Sequence, residues 1–337
     1  MDIKQKLFAL SERDAVGNID EASLFAHDVL NDVCKTERQN NLTVIGFLKG
    51  ESDYTVMLDA HIDQIAMVVT DIDDNGFLTV SNAGGIDIRA LPSRRVTVHG
   101  KEKITAVFCS VPPHLAKDEV EYSDIAKLKV DTLLGKKAKE IIAVGDFVTF
   151  NVKARELVGS RVAGRSFDDR AGVACVLEIA ERLSERRLPV NVAFTLSDAE
   201  ELGLRGAVTA SFKVNPDEAI ALDVSFGDGI DIKKEECGEL GKGAMIGFAP
   251  VLDSEISKKL EAIAKQKGIA YQTEVMSAKT GTNADVISVS KQGVRTGLVS
   301  IPLRNMHSAV ETVDIKDLES VCDLICEYIL AGGVHSD

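Results

Sequence analysis

The sequence predicts an α/β protein, a mixed and mostly parallel sheet flanked by helices, with a small β-rich domain inserted into it. Three observations predict this. From about residue 165 onward, apolar strand-like runs alternate with amphipathic helical ones. An apolar strand-like run, "TVMLDAHID", also stands well before that point. Between roughly residues 67 and 158 the texture changes to short β-like runs broken by turns. The expected division is therefore residues 1–66 with 159–337 as one domain and 67–158 as the insert. A chain of 337 residues exceeds the usual size of one compact domain, which suits such a split.

The elements follow in order. "TVMLDAHID" is a buried strand. In the insert, "MVVTDIDDNGFLTVSNAGG", "RRVTVHGKEKITAVFCS" and "AVGDFVTFN" are strands broken at Asn75-Gly76, His99-Gly100 and Gly145-Asp146. The stretch "SDIAKLKVDTLLGKKAKE" is the one part of the insert that reads as helical. Beyond it, "AGVACVLEIAERLSER" is a helix, while "VNVAFTLS" and "EAIALDVS" are strands. "SEISKKLEAIAKQKG" sets Ile256, Leu260, Ile263 and Ala264 on one helical face. The last helix, "DIKDLESVCDLICEYIL", carries Ile315, Leu318, Cys322, Ile325 and Ile329 at helical spacing.

Composition narrows the function classes. With 45% hydrophobic residues and a mean hydropathy of +0.04, the chain is ordinary globular material. A net charge of -14 argues against nucleic acid and anionic membrane as partners, because phosphate binding needs a basic face. No apolar run is long enough to span a bilayer, and the start "MDIKQKLFALSERDA" lacks a signal core, so the expected location is cytoplasmic. The six cysteines, Cys34, Cys109, Cys175, Cys237, Cys322 and Cys326, are scattered and read as reduced core residues.

Chemistry-bearing residues collect where strands end. "MLDAHID" finishes with His61 and Asp63, "SFDDRAGV" places Asp168 and Asp169 before a helix, and "TLSDAEELG" supplies Glu200 and Glu201. "ALDVSFGD" adds Asp223, and "NMHSAVE" adds His307 after the apolar run "TGLVSIPL". Open α/β sheets bind their ligands at the C-terminal ends of strands. Singly, each residue has a plain alternative: a hydrogen-bonded structural histidine, or acids in the first turn of a helix capped by Ser197 or Asp198. Together, two histidines and several carboxylates without basic partners would repel one another unless a cation sat among them. Zinc, cobalt and manganese all accept this mixed nitrogen and oxygen set.

The order HxD, DDR, EELGLRGA, LDV and MHS resembles the tetrahedral (TET) aminopeptidases, dinuclear enzymes related to glutamyl and deblocking aminopeptidases and to "cellulase M". The resemblance extends over nearly the whole chain through "SNAGGID", "VPPHL", "VGDFV", "LGKGAMIG", "GVRTGLVSIPLRNMHSAVE" and "TVDIKDLE". It implies a zinc-peptidase/phosphorylase-like catalytic domain interrupted by a small β-barrel, PDZ-like domain that joins subunits. It implies an aminopeptidase acting on short peptides with two divalent metal ions per subunit, zinc first and cobalt or manganese as alternatives. Carried over residue by residue, it makes His61 and His307 terminal ligands, Asp168 the bridge, and Glu201 and Asp223 the remaining ligands. Asp63 would orient His61, and Glu200 would be the base that activates a metal-bridging water. Homo-oligomers are implied, dimers assembling into a hollow tetrahedral dodecamer.

Departures from the family pattern fall at Gln64, Ala199 and Asn283, which are expected near the substrate-binding side. The alternatives are a glycosidase of endoglucanase type, a deacetylase or carboxypeptidase on a related dinuclear scaffold, and a non-catalytic metal- or peptide-binding protein.

Overall fold

The run Thr55–His61 lies in the middle of an eight-stranded sheet, buried on both faces in the computed structural model. Residues 1–112, 114, 124–230 and 232–336 are described. The central strand pairs parallel with Glu218–Phe226 on one side and Asn191–Ser197 on the other, and Arg295–Leu303 runs parallel beyond Glu218–Phe226. Antiparallel pairs lie toward both edges. Val44–Leu48 and Lys35–Arg38 extend one side, and on the other Ala244–Phe248 runs against Arg295–Leu303 before pairing parallel with Tyr271–Val275.

Strands buried on both faces read as near-continuous apolar runs because helices cover each side. Val56, Leu58 and Ala60 face the large core formed with the helices Phe167–Ser184 and Ile315–Leu330. Met57, which points the other way, packs with Ala193 and Ala219 against Ala207 and Ile287. Helix limits follow local chemistry. Asp253 caps Ser254–Lys267 by accepting from Glu255 N and Ile256 N, and Gly268 ends it at φ +68°. Asp314 caps the last helix by accepting from Lys316 N.

The β-rich stretch closes into a six-strand barrel in the order Lys129–Asp131, Phe77–Ala83, Ala66–Ile72, Phe147–Phe150, Arg95–His99, Lys103–Phe108. Its interior is a second core containing Met67, Leu78, Val80, Val98, Phe108 and Val130. The expected helix over "SDIAKLKVDTLLGKKAKE" is not there. Residues Lys129–Asp131 form the strand that closes the barrel, and the α-helix at this point is the short Ala138–Ile141. Leu133 and Gly135 both have positive φ, which stops a helix from propagating, and Val130 gains a fully buried place in the barrel. Ser123 of that stretch, and Pro113 and Leu115 of "VPPHL", lie outside the described residues.

All six cysteines are free, but Cys175 and Cys322 alone are fully buried. Cys34, Cys109, Cys237 and Cys326 are half-buried, so the expectation of core cysteines holds for two of them. Cys109 and Cys237 lie in connections, where the backbone runs near the surface.

Among the described residues, no helix is long and apolar enough to cross a membrane. Phe108, 1% exposed, fills the barrel interior from the strand that pairs with Lys129–Asp131. Phe108→Ala should lower stability by about 3–5 kcal/mol in chemical denaturation. An unchanged midpoint would mean that the barrel does not depend on this core.

Candidate active site

His61 is the last residue of its strand, and in the parallel register it lies beside Ser197, the last residue of the neighbouring one. Parallel pairing thus puts two chain exits side by side on one edge of the sheet. Asp63 was expected on the strand with His61, but it sits just beyond the strand's end. From there its Oδ1 accepts from Glu200 N at 2.9 Å and its Oδ2 from Glu201 N at 3.2 Å. The same Oδ1 lies 3.4 Å from His61 Nδ1, at ion-pair distance but without hydrogen-bond geometry. One carboxylate therefore holds the exit of the central strand against the loop carrying both glutamates.

Asp223 lies within Glu218–Phe226 rather than at its end, since the strand continues to Phe226. Asp168, in the non-helical first turn of Phe167–Ser184, and His307, in the connection after Arg295–Leu303, are brought together by a small sheet in which Arg161–Gly164 pairs antiparallel to Glu311–Asp314. Gly164 stands opposite Glu311 in that register. The Glu311 carboxylate accepts from Phe167 N at 2.7 Å and Asp168 N at 3.1 Å through Oε2, and from His307 N at 3.1 Å through Oε1. Ser166 and His307 both have positive φ, so each stretch turns sharply where this carboxylate grips it.

The side chains converge on the Asp168 carboxylate. Its Oδ1 is 3.0 Å from His61 Nε2 and its Oδ2 is 3.3 Å from His307 Nε2. Glu201 Oε1 lies 3.5 Å from His307 Nε2, while Glu200 Oε2 and Asp223 Oδ1 lie 3.9 and 4.0 Å from His61 Nε2. All the expected site residues, Asp63 included, are thus in one cluster. Asp169 joins it as well: donor atoms of His61, Asp169 and Asp223 lie within 4.8 Å of one another, as do those of Asp168, Glu201 and His307.

The electrostatics are those of too many acids in too little water. Burial pushes Asp169 and Asp223 well above their usual values and raises Glu200, and burial together with the Asp168 charge pushes Glu201 up to about 8. Burial and the Asp168 charge likewise raise Glu311 to about 8. The Asp168 carboxylate holds the His307 imidazole up at about 9. Burial opposes charge on His61, but Asp168 and Asp63 outweigh it and raise its pKa well above the usual value. Burial opposes charge on Asp168 too, and His307 and His61 overcome it, leaving that one carboxyl well below its usual range.

This donor set fits divalent cations. Each three-residue group offers one imidazole nitrogen and two carboxylates, the mixture that zinc, cobalt or manganese accepts. Asp169 Oδ2 is buried with no hydrogen-bond partner, an acceptor that a nearby cation would satisfy.

The cluster opens into a cavity of about 480 Å³ whose wall includes Thr280, Thr282 and Met306. The glycine pair from the barrel side closes in on the cluster. A Cβ on Gly85 would stand 2.8 Å from His307 Nδ1, and one on Gly84 would stand 3.2 Å from Glu201 Oε2.

Two of the sequence departures are buried and do not line this cavity. Gln64 is 2% exposed, accepts from Arg170 Nη2 and donates to Asp14 Oδ1, both at 3.2 Å. Asn283, also 2% exposed, donates from Nδ2 to Asp59 Oδ2 at 2.8 Å and to Ser197 Oγ at 3.0 Å. Asp59 is fully buried, so an aspartate at 283 would set a second carboxyl group against it in place of the amide donor. Ala199 is half-buried in the glutamate loop at φ +58°.

Sequence reasoning passed over Glu311, and it named Asp169 beside Asp168 without giving it a role in the site. The signal for Glu311 was its place four residues after His307 at the start of a strand; for Asp169 it was adjacency to Asp168.

Comparison with known proteins identifies the family. The M42 glutamyl aminopeptidase family matches residues 43–324. The lysyl aminopeptidase of Pyrococcus furiosus is 32% identical over 305 residues, covering 88% of this chain and 87% of its own. Among solved structures, an aminopeptidase from the archaeon Desulfurococcus kamchatkensis has a TM-score of 0.91 at 30% identity, covering 97% of this chain and 94% of that one. The TET1 peptidase of Pyrococcus horikoshii, which can assemble into a tetrahedron or a large octahedral shell, has a TM-score of 0.85 at 28% identity, covering 98% and 99%. With the match spanning most of the chain and the acid-rich cluster lying inside it, the chain belongs to the M42 glutamyl aminopeptidase family and is an aminopeptidase.

Proposed function

We propose that the chain is a metal-dependent aminopeptidase that releases N-terminal residues from short peptides, with Glu200 moving the protons. The observation that carries this reading is the Asp168 carboxylate, set between two imidazole nitrogens at 3.0 and 3.3 Å with further carboxylates on both sides. His61 and Asp223 would hold one ion, His307 and Glu201 the other, and Asp168 would be shared. Two divalent ions, zinc first with cobalt or manganese as alternatives, would supply Lewis acidity to the scissile carbonyl and to water.

Glu200 borders the cavity, and its main chain is fixed by Asp63. Burial raises its pKa, which favours a carboxylate able both to take a proton from the attacking water and to deliver one to the leaving nitrogen. Asp63 acts on the base and on His61 together, which supports its role as an orienting residue. The imidazoles among the carboxylates favour a peptidase over the glycosidase alternative, whose acid and base need no such partners.

The division into residues 1–66 with 159–337 and an insert of 67–158 belongs to the same reading, with the barrel as the subunit-joining part. Six free cysteines suit a reducing compartment and support a cytoplasmic setting.

The division of labour between the adjacent glutamates is testable. Glu200→Gln should keep its metal and lose roughly two to four orders of magnitude in turnover of aminoacyl p-nitroanilides. Glu201→Ala should instead lose metal, measured by elemental analysis. Equal metal loss in both variants would overturn the assignment.

Assembly is the second test. The proposed form is a homo-oligomer of dimers built into a tetrahedral dodecamer, supported by the shells of the Pyrococcus horikoshii relative. Light scattering on metal-loaded protein at micromolar concentration should report a particle of that order. A stable monomer that still cleaves short peptides would refute the cage and leave the chemistry standing.

A further inference from the structure

Beside the catalytic cavity lies a larger one of about 670 Å³, and Ser225, Phe226 and Thr280 line both. A side chain leaving the reaction centre past these residues enters the second space. Much of its wall is apolar, from Phe226, Ile232, Met245, Val275 and Met276. One carboxylate is fixed inside it. Glu274, half-buried on the strand Tyr271–Val275, accepts from Ser225 Oγ through Oε1 and from Ser300 Oγ through Oε2, the latter at 2.7 Å.

Those two serines place Glu274 relative to the chemistry. Ser300 is the direct register partner of Asp223, and Ser225 lies two residues beyond Asp223 on the same face of the same strand. The Glu274 carboxylate therefore stands about one strand repeat, ~7 Å, from the Asp223 position. Two hydroxyls use part of a carboxylate's acceptor capacity, and among the described residues Glu274 has no cationic partner. The other charges on the wall, Glu235, Glu236 and Lys279, are exposed, and Glu236 is paired with Lys233 at 3.0 Å. Exposed charges of that kind are worth little in recognition.

We infer that this cavity receives the side chain of the substrate's N-terminal residue and selects lysine or arginine, with Glu274 pairing the cationic tip and the apolar wall covering the methylene stem. This rests on the aminopeptidase reading above and deepens it. An apolar side chain filling the cavity would take water from the carboxylate and offer it no charge, while an acidic one would meet like charge. A basic chain does neither, and its amphipathic build matches an apolar passage ending in an anion.

The test is kcat/KM of the metal-loaded oligomer on p-nitroanilides of lysine, arginine, norleucine and glutamate. Norleucine reproduces the stem of lysine without the charge. Lysine and arginine should exceed norleucine by about 10- to 100-fold, the range for a hydrogen bond to a charged group. Glu274→Gln, which can still bond to the serines, should bring the lysine-to-norleucine ratio close to one. Glu274→Asp, a carboxylate with shorter reach, should keep the ratio above one.

A wild-type ratio near one, a preference for glutamate, or a ratio unmoved by Glu274→Gln overturns the assignment while the aminopeptidase reading stands. Hydrolysis of none of the four overturns both. Should the glutamine variant fail to fold, the wild-type ratio and Glu274→Asp decide.

Discussion

Carboxylate repulsion is the constraint on which the site depends. Asp63, Asp168, Asp169, Glu201, Asp223 and Glu311 crowd around two imidazoles with little access to water, and desolvation drives several of them toward the neutral form. A cluster with that self-energy disperses unless its backbone is held from outside. Two of the acids do the holding. Asp63 grips the main chain of the glutamate pair, and Glu311 grips the main chain at Asp168 and at His307. Amide donors stabilise these two carboxylates in place, and the remaining acids are presented inward without having to find neutral partners of their own.

The sheet explains why so few residues suffice. Parallel neighbours deliver their C-terminal ends to the same edge, so His61, Asp223 and the loop after Ser197 arrive together with no long excursion. Asp168 and His307 come from outside the large sheet, and it is the small antiparallel pairing of Arg161–Gly164 with Glu311–Asp314 that draws them in. The catalytic edge is thus assembled from two sheets, and Glu311 sits at their seam.

Much of this was legible in the sequence, for reasons that mark where legibility stops. Apolar runs ending in histidine or acid announce themselves, because a charged group at the end of a buried strand needs a reason to be there. The placement of His61, Asp168, Glu201, Asp223 and His307 at or near strand ends was readable from the chain, while their grouping into one ligand set came from the family resemblance. Glu311 gave no comparable signal, since a glutamate opening a short strand looks like any edge residue until its three amide partners are seen. The barrel strand Lys129–Asp131 was hidden for the opposite reason. Its flanks are rich in lysine, leucine and alanine, good helix formers, and the preference was overridden by closure of the barrel around Val130. Gln64 and Asn283 turn out to be buried hydrogen-bonding residues, because family pattern alone does not say which way a side chain faces. Asn283 is matched to Asp59, a partner far away in sequence.

The glycine pair at 84 and 85 has a consequence for how the molecule could be taken apart. These residues follow the barrel strand Phe77–Ala83, yet a Cβ at either would press on Glu201 or His307. The barrel is therefore not a detachable module bolted to a self-sufficient enzyme. Excising it to obtain a minimal catalyst would strip one side from the reaction chamber, and grafting in a homologous barrel would succeed only with a linker as slender as this one.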